Sequence, residues 1–187
     1  MKNIKIFASS VALFLPLSVW ADGVNLGLGF HKGSYKEDQV SDVNTTGLMF
    51  SLGKNFNKNI GLEGRFIVGK GTDEGDLKVP NLFGTGTHNE RVELGLEYLS
   101  SLMLKGDLGL GKNSSLYGMA GCSNVSLNAS FPNQNYDFSD SSSGLSYGVG
   151  AWVGDRDSFT VNIEYVSYVK SSDYDYSALE LSLRFIK

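Results

Sequence analysis

The chain has 187 residues, 41% of them hydrophobic, which is enough for one domain with a sizeable core. Its 20 acidic residues outnumber its 16 basic residues, and this balance argues against a nucleic-acid partner. The single cysteine, Cys122, excludes an internal disulfide, so the fold has to be stable without one.

The first 21 residues have the pattern of a secretory signal peptide. Lys2 and Lys5 precede an apolar stretch, and Val19 and Ala21 occupy the small-residue positions before a cleavage site. We therefore expect a signal peptide at 1–21 and one domain at 22–187. Beyond the signal, no apolar run approaches the ~20 residues that a membrane-spanning helix needs.

From residue 24 onward the sequence alternates between apolar and polar residues in about eight segments. A period of two is typical of β-strands, because successive side chains point to opposite faces. The segments have about the length that crosses a bilayer as a tilted strand, ~9–11 residues, and the fourth is unusually long. They lie at about 24–31, 47–53, 60–68, 92–110, 117–127, 145–153, 159–165 and 179–187.

The alternation assigns an apolar and a polar face to each segment. The eighth segment is the clearest, with an apolar face formed by Leu179, Leu181, Leu183 and Phe185. In the fourth segment most even-numbered positions are apolar, and we assign to the apolar face Leu94, Leu96, Tyr98, Leu102, Leu104 and Leu108. In the fifth we assign Cys122 to the polar face, and to the apolar face Tyr117, Met119, Val125 and Leu127.

The connections between the segments alternate in length. The stretches Asn55–Asn59, Gly111–Ser115 and Gly154–Ser158 are short turns. The stretches 33–43, 70–89, 128–143 and 169–176 are longer, polar and partly acidic. Short turns at one end and long loops at the other are typical of bacterial outer-membrane barrels.

The composition of the polar face indicates which face points outward. Alternation alone fits a membrane barrel with an apolar outside, and equally a soluble, lipocalin-like carrier with an apolar inside. A water-facing surface is dense in Lys and Glu, whereas this face holds Gly27, Gly29, Gly47, Gly53, Gly118, Gly148 and Gly150. Small residues fit the narrow lumen of an eight-stranded barrel. The sequence therefore predicts an all-β fold, an eight-stranded antiparallel up-and-down transmembrane β-barrel.

Charged residues on the polar faces would then lie inside the barrel. Buried charges have to be paired or strongly hydrogen-bonded, and these residues include both signs. We predict a structural lumen network made of Glu63, Arg65, Lys105, Asp107, Glu164, Glu180 and Arg184.

Two stretches resemble a known family. YGVGAWVGDRDSFTVNIEYVSYVKSSDYDYSALELSLRF is similar to the last three strands of the outer-membrane β-barrel domain family, the small porin-like, opacity-type and OmpA-like barrels. SSLYGMAGCSNVSL resembles the fifth strand of that family. The resemblance implies a location in the bacterial outer membrane, contact with its lipid and lipopolysaccharide, and insertion by the barrel-assembly machinery. Family members commonly end on an aromatic assembly signal; here Phe185 takes that place, followed by Ile186 and Lys187.

Catalysis has weak support in the sequence. His31 and Ser34 could serve a lipid A-modifying barrel enzyme, but their spacing differs from that of the deacylase family, so we assign His31 to the lumen rim or a loop. The acidic stretch Asp73, Glu74 and Asp76 lacks the alternating ligands of a calcium loop. We expect no catalytic residue, no metal site and no cofactor.

The function that we predict is a structural or surface-interaction role in adhesion or in the envelope. A barrel this small has a filled lumen, so we expect a monomer whose four loops meet a host-surface or envelope partner rather than a general pore. A small selective channel stays open as an alternative. We assign to an interfacial aromatic girdle, in preference to partner contacts, the residues Phe83, Phe131, Tyr136, Phe138, Tyr174 and Tyr176.

Overall fold

The computed structural model describes residues 23–37, 40–80, 87–131, 136–155, 157–170 and 174–186, so the expected signal peptide lies outside the described residues. No helix in these ranges is long and apolar enough to cross a membrane. The strands are β1 (Val24–Glu37), β2 (Val40–Asn55), β3 (Ile60–Gly69), β4 (Asp73–Pro80), β5 (Thr87–Asp107), β6 (Ser114–Phe131), β7 (Tyr136–Asp155), β8 (Phe159–Lys170) and β9 (Asp175–Ile186).

The strands form one closed antiparallel barrel. β1 pairs with β2 on one side and with β9 on the other, which closes the sheet. β3 and β4 together make one wall, since β3 pairs with the second half of β5 and β4 with its first half. The barrel therefore has eight walls, and the predicted eight-stranded antiparallel up-and-down topology is confirmed.

The apolar face of the strands points outward. On β9, Leu181 is 52% exposed, whereas Glu180 and Arg184 are buried. Other outward-facing apolar residues include Leu26, Leu28, Phe30, Leu48, Phe50, Leu62, Phe66, Leu104, Val149 and Ile163. A soluble carrier would have the opposite arrangement, so the lipocalin-like alternative is wrong and the barrel spans a membrane.

The lumen is narrow enough to require small residues. At Gly29 an added Cβ atom would lie 2.7 Å from the Cβ atom of Ser182, so a larger residue would collide with the neighbouring strand. The glycine-rich polar face is therefore an inner face.

Some of the strands continue well beyond the membrane, whereas β8 and β9 have only 12 residues each. β5 has 21 residues and β7 has 20, about twice the ~9–11 residues that cross a bilayer. The stretches predicted as long loops are mostly strand, and this prediction is wrong. Outside the membrane a strand needs no apolar outer face, so the alternation fades although the pairing continues.

The interior of this extension is apolar. Its buried residues include Tyr35, Val43, Leu94, Leu96, Leu127 and Val169. We call the part built around them the extracellular extension, since long hairpins of such barrels lie outside the cell and short turns in the periplasm. Short turns join the strands at the other end, as predicted, but the second turn lies at 108–113 rather than at Gly111–Ser115. In the first turn the Asn57 side chain accepts hydrogen bonds from the backbone N–H groups of Asn59 and Ile60.

A β-bulge changes the faces of β5. Leu94 and Leu96 point inward, whereas Leu102 and Leu104 point outward. The pairing of β5 with β6 shifts between Leu96 and Tyr98, and the extra residue, Glu97, moves all preceding side chains to the other face. The prediction of one apolar face along this segment is therefore wrong.

The faces of β6 are the reverse of those predicted. Tyr117 and Met119 are buried in the lumen, as are Val125 and Leu127, and Cys122 is exposed on the outer face. The outer face here carries small residues, including Gly118 and Ala120, so apolar character did not separate the two faces.

Candidate functional site

Arg65 lies at the centre of the buried charges in the lumen. Its Nε atom donates to Glu63 Oε1 at 2.7 Å, Nη1 to Glu180 Oε2 at 2.7 Å and Nη2 to Glu164 Oε1 at 3.0 Å. The four residues come from β3, β8 and β9 and are at most 3% exposed. One guanidinium, with its fixed fork of donors, therefore joins three walls of the barrel.

Arg184 completes the set from the periplasmic side. Its Nη2 atom donates to Glu164 Oε1 at 2.7 Å and to Glu63 Oε1 at 2.9 Å. Lys105 Nζ lies 3.7 Å from Glu63 Oε2 and 4.1 Å from the centre of the Tyr117 ring. Three carboxylates thus face three cations, so the cluster is balanced in charge.

Asp107 and Phe185 lie apart from this cluster. Asp107 accepts a hydrogen bond from the Trp152 indole N–H at 3.0 Å, beside a small space of about 30 Å³ at the periplasmic end. The structure therefore brings together six of the seven predicted lumen residues. Phe185 is 55% exposed on the outer face. The stabilising role of the network and the assembly role of Phe185 stay predictions.

Sequence reasoning missed the polar residues that extend the cluster upward. His31 Nδ1 lies 2.8 Å from Glu180 Oε1 and Nε2 lies 2.9 Å from the Tyr176 hydroxyl. Tyr168 donates to the same carboxylate oxygen of Glu180, and Tyr117 donates to Glu164. The inward position of His31 could have been found from the sequence, because it is odd-numbered like the inward glycines of β1. The inward position of Tyr117 could not, because its apolar ring had assigned it to the outer face.

His31 therefore does not lie at the rim or in a loop, and that prediction is wrong. It is 2% exposed inside the lumen. Ser34 is three residues further along the same strand, opposite Asn44 and Ser177, and so faces outward. The strand does not bring the histidine and the serine together, and both ring nitrogens of His31 already contact other side chains.

The described residues contain no group of three or more His, Cys, Asp or Glu side chains that could hold a metal ion. In the acidic stretch of β4, Glu74 forms an ion pair with Arg91 of β5. In the lumen, the carboxylates lie against arginine, lysine and tyrosine groups instead.

The extracellular extension is acidic. In the stretches 33–46, 70–97, 124–143 and 168–178, Asp and Glu outnumber Lys and Arg by more than two to one. Some of these charges are paired, as Lys36 is with Asp42 at 3.0 Å. Tyr35 donates to Glu37, and burial together with this carboxylate raises the pKa of the Tyr35 hydroxyl above its usual range.

The aromatic residues of this end have other positions than predicted. Tyr176 is fully buried in the lumen, and Tyr174 packs on Tyr35 with ring centres 5.1 Å apart, so the girdle assignment is wrong for both. Phe138 is 50% exposed. Phe83 lies outside the described residues, and so do the side chains of Phe131 and Tyr136. The outer face instead carries a stacked pair, Phe66 and Tyr98, with ring centres 6.3 Å apart.

Comparison with known proteins agrees with this fold. The model of the family described as outer membrane protein beta-barrel domain matches residues 7–185. No curated protein sequence matches the chain.

Several solved structures resemble the barrel. Ail, the attachment invasion locus protein of Yersinia pestis, has a TM-score of 0.59 at 19% identity, over 88% of this chain and 99% of Ail. Neisserial surface protein A has a TM-score of 0.61 at 10% identity, over 89% of this chain and 98% of that protein. OprG from Pseudomonas aeruginosa has a TM-score of 0.50 at 14% identity, over 88% of this chain and 93% of OprG. At these identities the likeness shows the fold alone. Ail has also been solved in complex with the heparin analogue sucrose octasulfate.

Proposed function

Because the chain belongs to the outer membrane protein beta-barrel domain family, and so lies in the bacterial outer membrane, we propose that it is a non-catalytic surface protein whose extracellular extension binds a positively charged partner. The observation that carries this proposal is the extension itself, which is ordered, acidic and built on its own apolar core.

The extension consists largely of paired strands rather than of loops. On β5 and β7, about ten residues beyond the bilayer, at about 3.3 Å each and a tilt of about 40°, raise the rim by about 25 Å. β8 and β9 have 12 residues each, so the rim is lower on their side. The pairs Tyr136 to Phe131 and Asp175 to Lys170 show that the strands remain hydrogen-bonded close to their tips. A pre-ordered surface loses little conformational entropy on binding, which favours an interaction role.

The lumen gives this role further support. Large buried side chains fill it, among them Tyr117, Tyr168, Met49, Ile67, Leu99 and Met103. The six charged residues are paired with one another across the barrel, which leaves them poorly placed to conduct ions or to act on a substrate. We therefore favour the interaction role over a small selective channel and over a lipid A-modifying enzyme.

The negative charge of the extracellular extension indicates which class of partner it binds. Ail was solved with a highly sulfated ligand, but the extension of this chain is negative and would repel a polyanion. A basic protein surface, of the host or of the envelope, is the complementary partner. Association should be faster at low ionic strength, because exposed charges are screened at distances beyond about 8 Å in physiological salt.

The test is adherence of a non-adherent laboratory bacterium that expresses the full chain to cultured epithelial cells. Neutralising Asp137→Asn together with Asp140→Asn should lower adherence several-fold, because both exposed carboxylates lie on the extracellular part of β7. The matched control is Asp155→Asn with Asp157→Asn, the same charge change at the periplasmic turn, which should leave adherence unchanged.

Soluble competitors distinguish the two charge classes. Each polymer is incubated with the bacteria and washed off before they meet the cells, so that it acts on the extension and not on the basic partner. Polylysine should then inhibit adherence and heparin should not. Inhibition by heparin alone, or equal adherence of both double variants with correctly folded barrels, would contradict the proposal. Folding is checked by the mobility difference between boiled and unboiled samples on a denaturing gel.

A further inference from the structure

A groove crosses the outer face of the barrel where the apolar band meets the extracellular extension. It has a volume of about 500 Å³ and lies over β8, β9, β1 and β2, up to the end of β3. Its apolar lining consists of Phe30, Leu48, Ile163, Leu179 and Leu181. Phe30 is 69% exposed and Leu48 is 45% exposed, so the lining faces the hydrocarbon of the membrane.

Two lysines lie directly above this apolar lining. Lys32 of β1 is opposite Thr46 of β2. Lys70, just after β3, is held beside Thr46, since its N–H donates to the Thr46 carbonyl at 2.7 Å and the Thr46 hydroxyl donates to the Lys70 carbonyl at 2.9 Å. The two lysine backbones are thus two strand spacings apart, about 10 Å, and their flexible side chains can reach one anionic group.

Within the part of the chain that the structure describes, neither lysine has an ion-pair partner. Further outward on β1, Lys36 does have an ion-pair partner, Asp42. The apolar row below and the polar row above meet at this level, since Phe30 is paired with Leu48 and Lys32 with Thr46. The positive charge therefore lies at the depth of lipid head groups.

The opposite side of the barrel has no such pair of charges among its described residues. There the boundary carries Tyr98 on β5, and Asn124 of β6 donates to Ser143 of β7 at 2.9 Å. Glu97, at the bulge, is negative. The lysine pair therefore marks one sector of the barrel rather than a uniform positive belt.

We propose that this groove binds the phosphorylated head group of lipopolysaccharide, lipid A, in the outer leaflet. Lys32 and Lys70 pair with its phosphate, and its acyl chains lie along Phe30, Leu48 and Leu181. An amphiphile with a negative head above apolar tails matches both the charge and the polarity boundary of the groove. The site is on the membrane-facing side, so it is independent of the partner proposed for the rim.

The first experiment compares two double variants of the purified full chain in detergent, titrated with bisphosphorylated lipid A. Lys32→Gln with Lys70→Gln should weaken binding roughly 30-fold, as expected for two lysines near an anionic surface. The control, Lys112→Gln with Lys170→Gln, removes the same charge from exposed positions outside the groove and should bind as the wild type does. Equal affinity of the two double variants would overturn the proposal.

Further ligands identify the occupant. Lys32→Arg with Lys70→Arg should keep most of the affinity, and dephosphorylated lipid A should bind the wild type as weakly as bisphosphorylated lipid A binds the glutamine variant. Equal binding of phosphatidylglycerol vesicles, or full competition by inorganic phosphate, would overturn the assignment to lipid A. A wild-type dimer that becomes monomeric in the glutamine variant would assign the groove to a second copy and also overturn it.

Discussion

The membrane-spanning part of the barrel and its extracellular extension have opposite interiors. In the membrane, Arg65 and Glu164 are buried in the lumen while leucines cover the outside. In the extension, Val43 and Leu96 are buried inside while the outside is polar and acidic. The comparison shows that the surrounding medium, lipid or water, decides which face of a strand points inward.

The chain changes from one arrangement to the other partly by irregular pairing. In β5 the pairing shifts at Glu97, and in β8 it shifts between Ser167 and Val169. Both Tyr168 and Val169 point into the barrel as a result. A bulge adds one residue to one strand and so reverses the faces without breaking the barrel.

The largest expected effect is the loss of Arg65. Arg65→Met leaves Glu63, Glu164 and Glu180 without their common partner, and we expect the free energy of unfolding to fall by about 3–5 kcal/mol. Urea unfolding in detergent, followed by the fluorescence of the buried Trp152, measures this change.

The matched control for this variant is in the extension. Arg91→Met removes an ion pair with Glu74 whose two side chains are 53% and 60% exposed. Such surface pairs contribute about 1 kcal/mol or less. Equal destabilisation by the two variants would contradict a stabilising lumen network.

A smaller loss of stability should distinguish the apolar interior of the extension from the membrane-spanning part of the barrel. Leu96→Ala leaves a cavity in the extension, where Leu96 is 4% exposed, and should cost about 2–5 kcal/mol of local stability. We expect faster cleavage of the extension by protease added to intact cells. Leu104→Ala changes a side chain that is 52% exposed to lipid and should leave the cleavage rate unchanged. Similar rates for both variants would mean that the extension has no core of its own.

The smallest effect concerns the faces of β6. Cys122→Ser should change the free energy of unfolding by no more than about 0.5 kcal/mol, because the thiol is exposed on the outer face. A fluorophore attached to Cys122 should be quenched by lipids with brominated acyl chains. Moving the thiol inward, with Ser123→Cys in the Cys122→Ser background, should prevent quenching, and quenching at both positions would contradict the assigned faces.

Much of the fold could be predicted from the sequence. β9 is the clearest case, since Leu179 to Phe185 alternate strictly and the structure places their leucines outward and Glu180 and Arg184 inward. β6 is the opposite case, because Tyr117 and Met119 are apolar yet face the lumen. A polar lumen accepts such residues, since the Tyr117 hydroxyl donates to Glu164 and its ring lies beneath Lys105.

The candidate sites, too, could be predicted from the sequence only in part. The charged members of the lumen network could be found from their alternation, because lipid excludes unpaired charge from the outer face. The residues that join them could not. His31 meets Tyr176 across 145 residues of sequence, and Lys32 comes beside Lys70 only through the pairing of β1 with β2 and the contact of Thr46 with Lys70.

The sequence by itself determined the period of the strands, the closed membrane barrel and the partly acidic character of its long connections. Only the tertiary structure decided where the faces of β5 change, how far the strands continue and which side chains meet in the lumen. The physical reason is that alternation records the contrast between two faces, whereas register, bulges and long-range contacts depend on the neighbouring strands.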